Sequence, residues 1–276
     1  MPMTLREPFE KFFADRGPHL AAMVAYFALL SFVPLAFLAL SFVGAAGPYD
    51  ASSFLVTELK RAFPEASVEK IVEVVDNIQD NATTLGIVGV VFLLWSSLSL
   101  FSVLESAVNI VYGRPNRPFL RGKALALLLL GGSLVTLFLG LLAGSFGYDL
   151  LKRFAGGIFT NDVVAYGLSV LVSAAAIFVF LVSAYYLLTN EQVSLREVLP
   201  GALLGAVVLE ASFQALPIYL RVAGEISAVR AFTAPALLLI WLFLMANVIV
   251  FGAEVNWALA RRGEEEDTAL EAAGLA

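Results

Sequence analysis

No cysteine occurs in the chain, so disulfides, thiolate metal sites and a cysteine nucleophile are excluded by counting. Histidine is almost absent: His19 stands alone, with no second imidazole to share a metal or a proton. Charge is scarce, at 14% of residues where a soluble domain has about 25%. No GxxxxGK(S/T), GxSxG or HExxH pattern appears, which argues against nucleotide hydrolysis and the common hydrolase chemistries. A formal charge of -6 argues against a broadly basic surface. No metal, no cofactor and no nucleic-acid partner are predicted.

Apolar length is what the chain has in abundance. Hydrophobic residues make up 60% of it and the mean hydropathy is +0.87. A hydrocarbon core about 30 Å thick is crossed by roughly 20 apolar residues. Six stretches reach that length, at about 20–43, 84–112, 124–148, 163–188, 199–220 and 236–260. The expected fold class is all-α: a polytopic membrane bundle of six transmembrane helices. The run 20–43 exceeds the roughly 7–15 residues of a signal-peptide core, so it is read as an uncleaved first span. Pro34 inside it removes a backbone hydrogen bond and predicts a kink that neighbouring helices tolerate.

Residues 44–83 change character. Glu58, Lys60, Glu69, Glu73, Asp76 and Asp80 are interleaved with Val68, Ile71, Val72, Val75 and Ile78 at helical spacing, so amphipathic extracytoplasmic helices are expected over 50–80. Six spans put both termini on one side. Arg114, Arg117, Arg121 and Lys123 after the second span, with Arg261 and Arg262 after the last, make that side cytoplasmic. The organisation expected is a cytoplasmic segment 1–19, a membrane domain 20–262 and an acidic cytoplasmic tail 263–276.

Three carboxylates fall within apolar spans: Glu105, Glu210 and Glu254. An acid at a helix centre costs roughly 2.5 kcal/mol or more on insertion scales, so each is expected to face the bundle interior or water. An amide accompanies each at a spacing that shares a helix face: Asn109, Gln214 and Asn247. These six are predicted to line one inward-facing polar cavity for a substrate or ion. The competing reading makes them interhelical hydrogen-bonding glue, at about 0.6 kcal/mol each. Arg114, Arg117, Arg121 and Lys123 also suit anionic lipid headgroups, at about 1 kcal/mol per cation, although topology alone would require them. Gly140 with Gly144 and Gly201 with Gly205 read as close-packing pairs. Trp95, Trp241, Trp257, Tyr112, Tyr148, Tyr185 and Tyr186 read as an interfacial belt.

Several short motifs then add up. Ala25-Tyr26-Phe27-Ala28-Leu29-Leu30-Ser31 closing on Pro34, Trp95 followed by Glu105 and Asn109, Arg117-Pro118, Pro200-Gly201-Ala202, and Trp241 leading to Phe251-Gly252-Ala253-Glu254 together resemble the YihY/BrkB family of bacterial inner-membrane proteins, formerly labelled ribonuclease BN. The likeness covers about Pro18 to Arg262. It implies six helical spans, cytoplasmic termini and a place in the bacterial inner membrane, and it carries over no catalytic residues.

Two functions stay open on this reading. One is transport of a lipid or another amphipathic or charged substrate through the inward-facing cavity. The other is a non-transporting partner or scaffold in envelope lipid handling. Membrane lipids are the expected partners, with an envelope protein or a second copy of the chain as further ones. The chain is not expected to be an enzyme, because one histidine at a membrane boundary supplies neither a metal site nor an acid–base pair for RNA hydrolysis.

Overall fold

The structure is a computed structural model that describes residues 6–46, 82–135, 162–225 and 234–272. All its regular structure there is helical. Helix α1 spans Arg6–Ala14, α2 Gly17–Ala46 and α3 Ala82–Val111. Helix α4 is described over 119–135, and α5 spans Asp162–Leu188, α6 Leu195–Glu225 and α7 Ala234–Ala272. Among the described residues, four helices contain stretches long and apolar enough to cross a membrane: Val91–Val111, Val170–Leu188, Leu195–Leu216 and Ala236–Gly263. Of the other two expected spans, 20–43 lies within α2 and 124–148 is described only to residue 135. The helices expected over 50–80 and the pair Gly140 and Gly144 lie outside the described residues.

Helix α7 is the spine, packing along α2 and α6 and more narrowly on α3, while α2 pairs with α3 and α5 with α6. Outward faces are apolar: Leu171, Val172 and Val207 are 68%, 63% and 60% exposed. A water-soluble monomer rarely shows so continuous an apolar surface, and lipid tails cover it at no cost.

Local chemistry sets the helix ends. Helix α3 stops in a Schellman motif: Gly113, at φ 65°, donates its N–H to Ile110 O at 3.0 Å, and Arg114 N–H reaches Asn109 O at 2.8 Å. Helix α6 is N-capped by Ser194, whose Oγ accepts the Glu197 N–H at 3.4 Å and donates to Glu197 Oε1 at 2.5 Å. The cap starts the helix four residues before the expected span at 199. Helix α2 continues through Pro34, which is buried, and Ser31 Oγ donates to Phe27 O at 2.9 Å just before it.

Within the segment 1–19, α1 packs on α7 and buries Phe12 against the Phe251 ring, 5.8 Å between centroids. One expectation is corrected: of the aromatics read as an interfacial belt, Tyr112, Tyr185 and Trp241 are core residues, whereas Trp95 and Tyr186 are exposed and Tyr148 lies outside the described residues. Tyr185 fills the space over Gly252 and donates to Ile249 O at 2.7 Å, which gives its buried hydroxyl an acceptor.

Candidate functional site: a clasped basic end and a mid-depth acid

The chain between α3 and α4 meets the chain between α5 and α6 at one end of the bundle. Asn109, fully buried, accepts the Asn190 N–H at 2.7 Å and donates to Asn116 Oδ1 at 3.2 Å. Asn190 Nδ2 returns a bond to Pro115 O at 2.8 Å, and Arg114 pairs with Glu191. Arg117 turns inward between the two segments: Nη1 donates to Leu188 O and Nη2 to Thr189 O, each at 2.6 Å. A guanidinium there neutralises the free carbonyls at the C-terminus of α5. Its other partner is Glu105, 5% exposed, whose Oε1 lies 3.4 Å from both Nη1 and the Arg117 backbone nitrogen. Glu105 also sits over the start of α4: a side chain at Gly122 would crowd its Oε2 at 3.0 Å. Helix N-termini favour negative charge.

Glu254 belongs to the same end but has a different cation. Lys11 of α1 lies 3.1 Å from Glu254 Oε2, without the alignment of a hydrogen bond, and donates to Val111 O at 2.7 Å. Lys11 also pairs with Asp15 and sits 4.3 Å from the centre of the Trp257 ring. Arg262 clamps the far side of α1, reaching Glu7 Oε2 at 2.6 Å.

Glu210 stands apart. It is 6% exposed, accepts Ser173 Oγ at 2.6 Å from α5, and accepts Gln214 Nε2 at 2.7 Å from its own helix. Gln214 Oε1 in turn accepts Tyr166 Oη at 2.7 Å. Counting from Leu195, and from Leu188 back to Ser173, both Glu210 and Ser173 lie 15 residues from the basic end, about 22 Å at 1.5 Å per residue. With the basic end at the headgroup surface of a bilayer about 40–45 Å thick, that depth is near the middle, and no cation among the described residues pairs with Glu210.

The acids expected to line one cavity therefore have three separate partner sets. Glu105 and Glu254 share an end but not a partner, and Glu210 lies deeper. Of the amides, Gln214 bonds its acid, Asn109 serves the loops, and Asn247 donates to its own Phe243 O at 2.6 Å. Nor do the four cations form one outward patch. Arg117 is turned inward, Lys123 donates to Ser102 Oγ at 2.9 Å, and Arg114 and Arg121 are the exposed ones. Lys11, Ser173 and Asn190 escaped sequence reasoning, and Tyr185 was read only as interfacial. For Lys11 a signal existed: Glu7, Lys11 and Asp15 at four-residue spacing beside the Phe9, Phe12 and Phe13 face.

A family model described as Virulence factor BrkB matches residues 9–275. The chain is 26% identical over 266 residues to the UPF0761 membrane protein PSHAa0171 of Pseudoalteromonas translucida, covering 91% of this chain and 84% of that one. It is 24% identical over 277 residues to the putative ribonuclease-like protein YfkH of Bacillus subtilis, covering 95% and 97%. A third relative, the UPF0761 membrane protein Nmul_A0452 of Nitrosospira multiformis, is 26% identical over 91% of this chain and 59% of its own length. No solved structure matches. With apolar spanning helices, the resemblance carried by the motifs from Ala25 to Glu254, and a family match over nearly the whole chain, the protein is an integral membrane protein and belongs to the Virulence factor BrkB family.

Proposed function

We propose that the chain transports a lipid or another amphipathic or charged substrate across the bacterial inner membrane, with the basic end and both termini in the cytoplasm. The observation that carries this reading is Glu210. A carboxylate at mid-depth is costly, and such groups commonly mark substrate or ion pathways. Glu210 has hydrogen-bond donors from two helices and no matching cation among the described residues, so its charge is available to a proton, a cation or a headgroup. The chain Glu210, Gln214, Tyr166 leads from mid-depth away from the basic end. At the basic end, Arg117 and Lys11 close the gaps between helices, which is the arrangement of an inward gate in its shut state. Arg114 and Arg121, exposed beside that gate, are placed to attract anionic headgroups.

A scaffold reading is favoured by one feature, the pairing of Glu105 and Glu254 with Arg117 and Lys11, because such acids serve packing alone. The two readings separate in a flux assay. In liposomes carrying fluorescent phospholipids, the wild-type protein is expected to move label between leaflets faster than empty liposomes, and Glu210→Gln to lower that excess by tenfold or more, since each 1.4 kcal/mol of lost interaction is about a factor of ten. Equal movement with the variant, or none above empty liposomes, sinks the role of Glu210 in lipid transport. No hydrolytic role is proposed: the one histidine, His19, is exposed at the start of α2.

A further inference from the structure

The surroundings of the Lys11 ammonium are those a receptor uses for an amine. Its Nζ donates to the terminal carbonyl of α3 at Val111, 2.7 Å away, faces Glu254 at 3.1 Å and Asp15, and lies over the Trp257 indole, 4.3 Å from its centroid. Carbonyl, carboxylate and ring face together match a compact ammonium with three donors. The site also holds unused polarity: both oxygens of the fully buried Glu254, and the hydroxyl of Tyr112 beside Val111, lack an aligned hydrogen-bond partner among the described residues.

The group that fills the site is carried by a short helix at the edge of the bundle. Helix α1 is nine residues long, buries Pro8 and Phe12, and is held by Lys11 and the Glu7–Arg262 clamp. Phe9 and Phe13, in edge contact at 5.0 Å, are each 55% exposed on its other side, an apolar face suited to the bilayer surface.

We propose that this pocket binds a protonated primary amine, that of a phospholipid headgroup or of a free small amine, and that Lys11 is its built-in occupant. The place of the site as the cytoplasmic entry of a transport cycle rests on the transport reading above; the binding does not.

The test is calorimetric titration of the full chain in detergent with dihexanoyl-phosphatidylethanolamine, dihexanoyl-phosphatidylglycerol and ethanolamine. Removing the occupant raises the fraction of open sites, and apparent affinity scales with that fraction, so Lys11→Ala is expected to bind the amine lipid about tenfold more tightly than wild type. Phe12→Ala, which loosens α1 and leaves the pocket intact, is expected to do the same and serves if Lys11→Ala fails to fold. A gain for the amine lipid alone assigns a lipid headgroup, and an equal gain for ethanolamine assigns a free amine. The gain should vanish in Lys11→Ala/Glu254→Gln. Unchanged affinity in both single variants, an equal gain for phosphatidylglycerol, or a gain that survives Glu254→Gln overturns the proposal. Because the assay reads binding without flux, its failure leaves the Glu210 experiment untouched, and the reverse holds.

Discussion

Arg117→Ala is expected to lower stability by about 3 kcal/mol, the scale on which removing one member of a buried ion pair leaves the other uncompensated. The side chain has three acceptors on two elements: Leu188 O and Thr189 O, each at 2.6 Å, and Glu105 Oε1 at 3.4 Å. Glu105 is left as a buried carboxylate, and the C-terminus of α5 loses its cation. Thermal unfolding of the purified protein in detergent reads the loss. Arg117→Lys keeps the charge but cannot fork between two carbonyls, so partial recovery is expected. Arg117→Ala/Glu105→Gln should recover more than Arg117→Ala alone, because the orphaned charge goes with it. An Arg117→Ala protein as stable as wild type would mean that this end of the bundle is not held by the guanidinium.

Gly201→Ala is expected to cost a similar amount, about 3 kcal/mol, by forcing α6 off α7. A methyl group at Gly201 would overlap the Gly252 carbonyl oxygen, which is backbone and cannot rotate away. It would also crowd Asn256 Oδ1, which accepts the Gly201 N–H at 2.6 Å. Gly252→Ala meets a softer obstacle, the Tyr185 hydroxyl, with Gly201 O at 2.9 Å. Tyr185→Phe should therefore restore part of the stability lost in Gly252→Ala and none of that lost in Gly201→Ala. The same unfolding assay separates the cases, and rescue of Gly201→Ala by Tyr185→Phe would show that the contact is not backbone against backbone.

What the sequence made legible follows from physics that needs no partner. A run of apolar residues is costly in water wherever it lies, so the spanning stretches within α3, α5, α6 and α7 could be read directly. An acid inside such a run stands out against its surroundings, and Glu105, Glu210 and Glu254 are all buried. Bonding between Glu210 and Gln214 was legible too, because residues four apart share a helix face. Direction was not legible. Tyr185 and Tyr186 are adjacent, yet one is wholly buried and the other 42% exposed, and only the packing of α5 against α6, with the Tyr185 hydroxyl bonded to Ile249 O of α7, fixes that phase. Arg117 and Arg121 are both cations of one short basic stretch, but the first folds inward because two helix-terminal carbonyls and an acid wait there. Long-range pairing was invisible for the same reason: Lys11 meets Val111, 100 residues on, and Glu254 near the far end of the chain. Spacing misled at Asn247, which shares a helix face with Glu254 but bonds its own turn.

Bilayer crossing with the basic end inside is the claim on which the transport reading stands, and site-directed labelling tests it most directly, since a chain without cysteine gives no background. Single cysteines are placed at Asp76, in the acidic stretch between the first two apolar runs, and at Glu265, exposed beyond Arg262. An impermeant thiol reagent added to intact spheroplasts is expected to label position 76 at once and position 265 only after permeabilisation. Labelling of position 265 from outside, or the same labelling of both positions in intact spheroplasts, would contradict it.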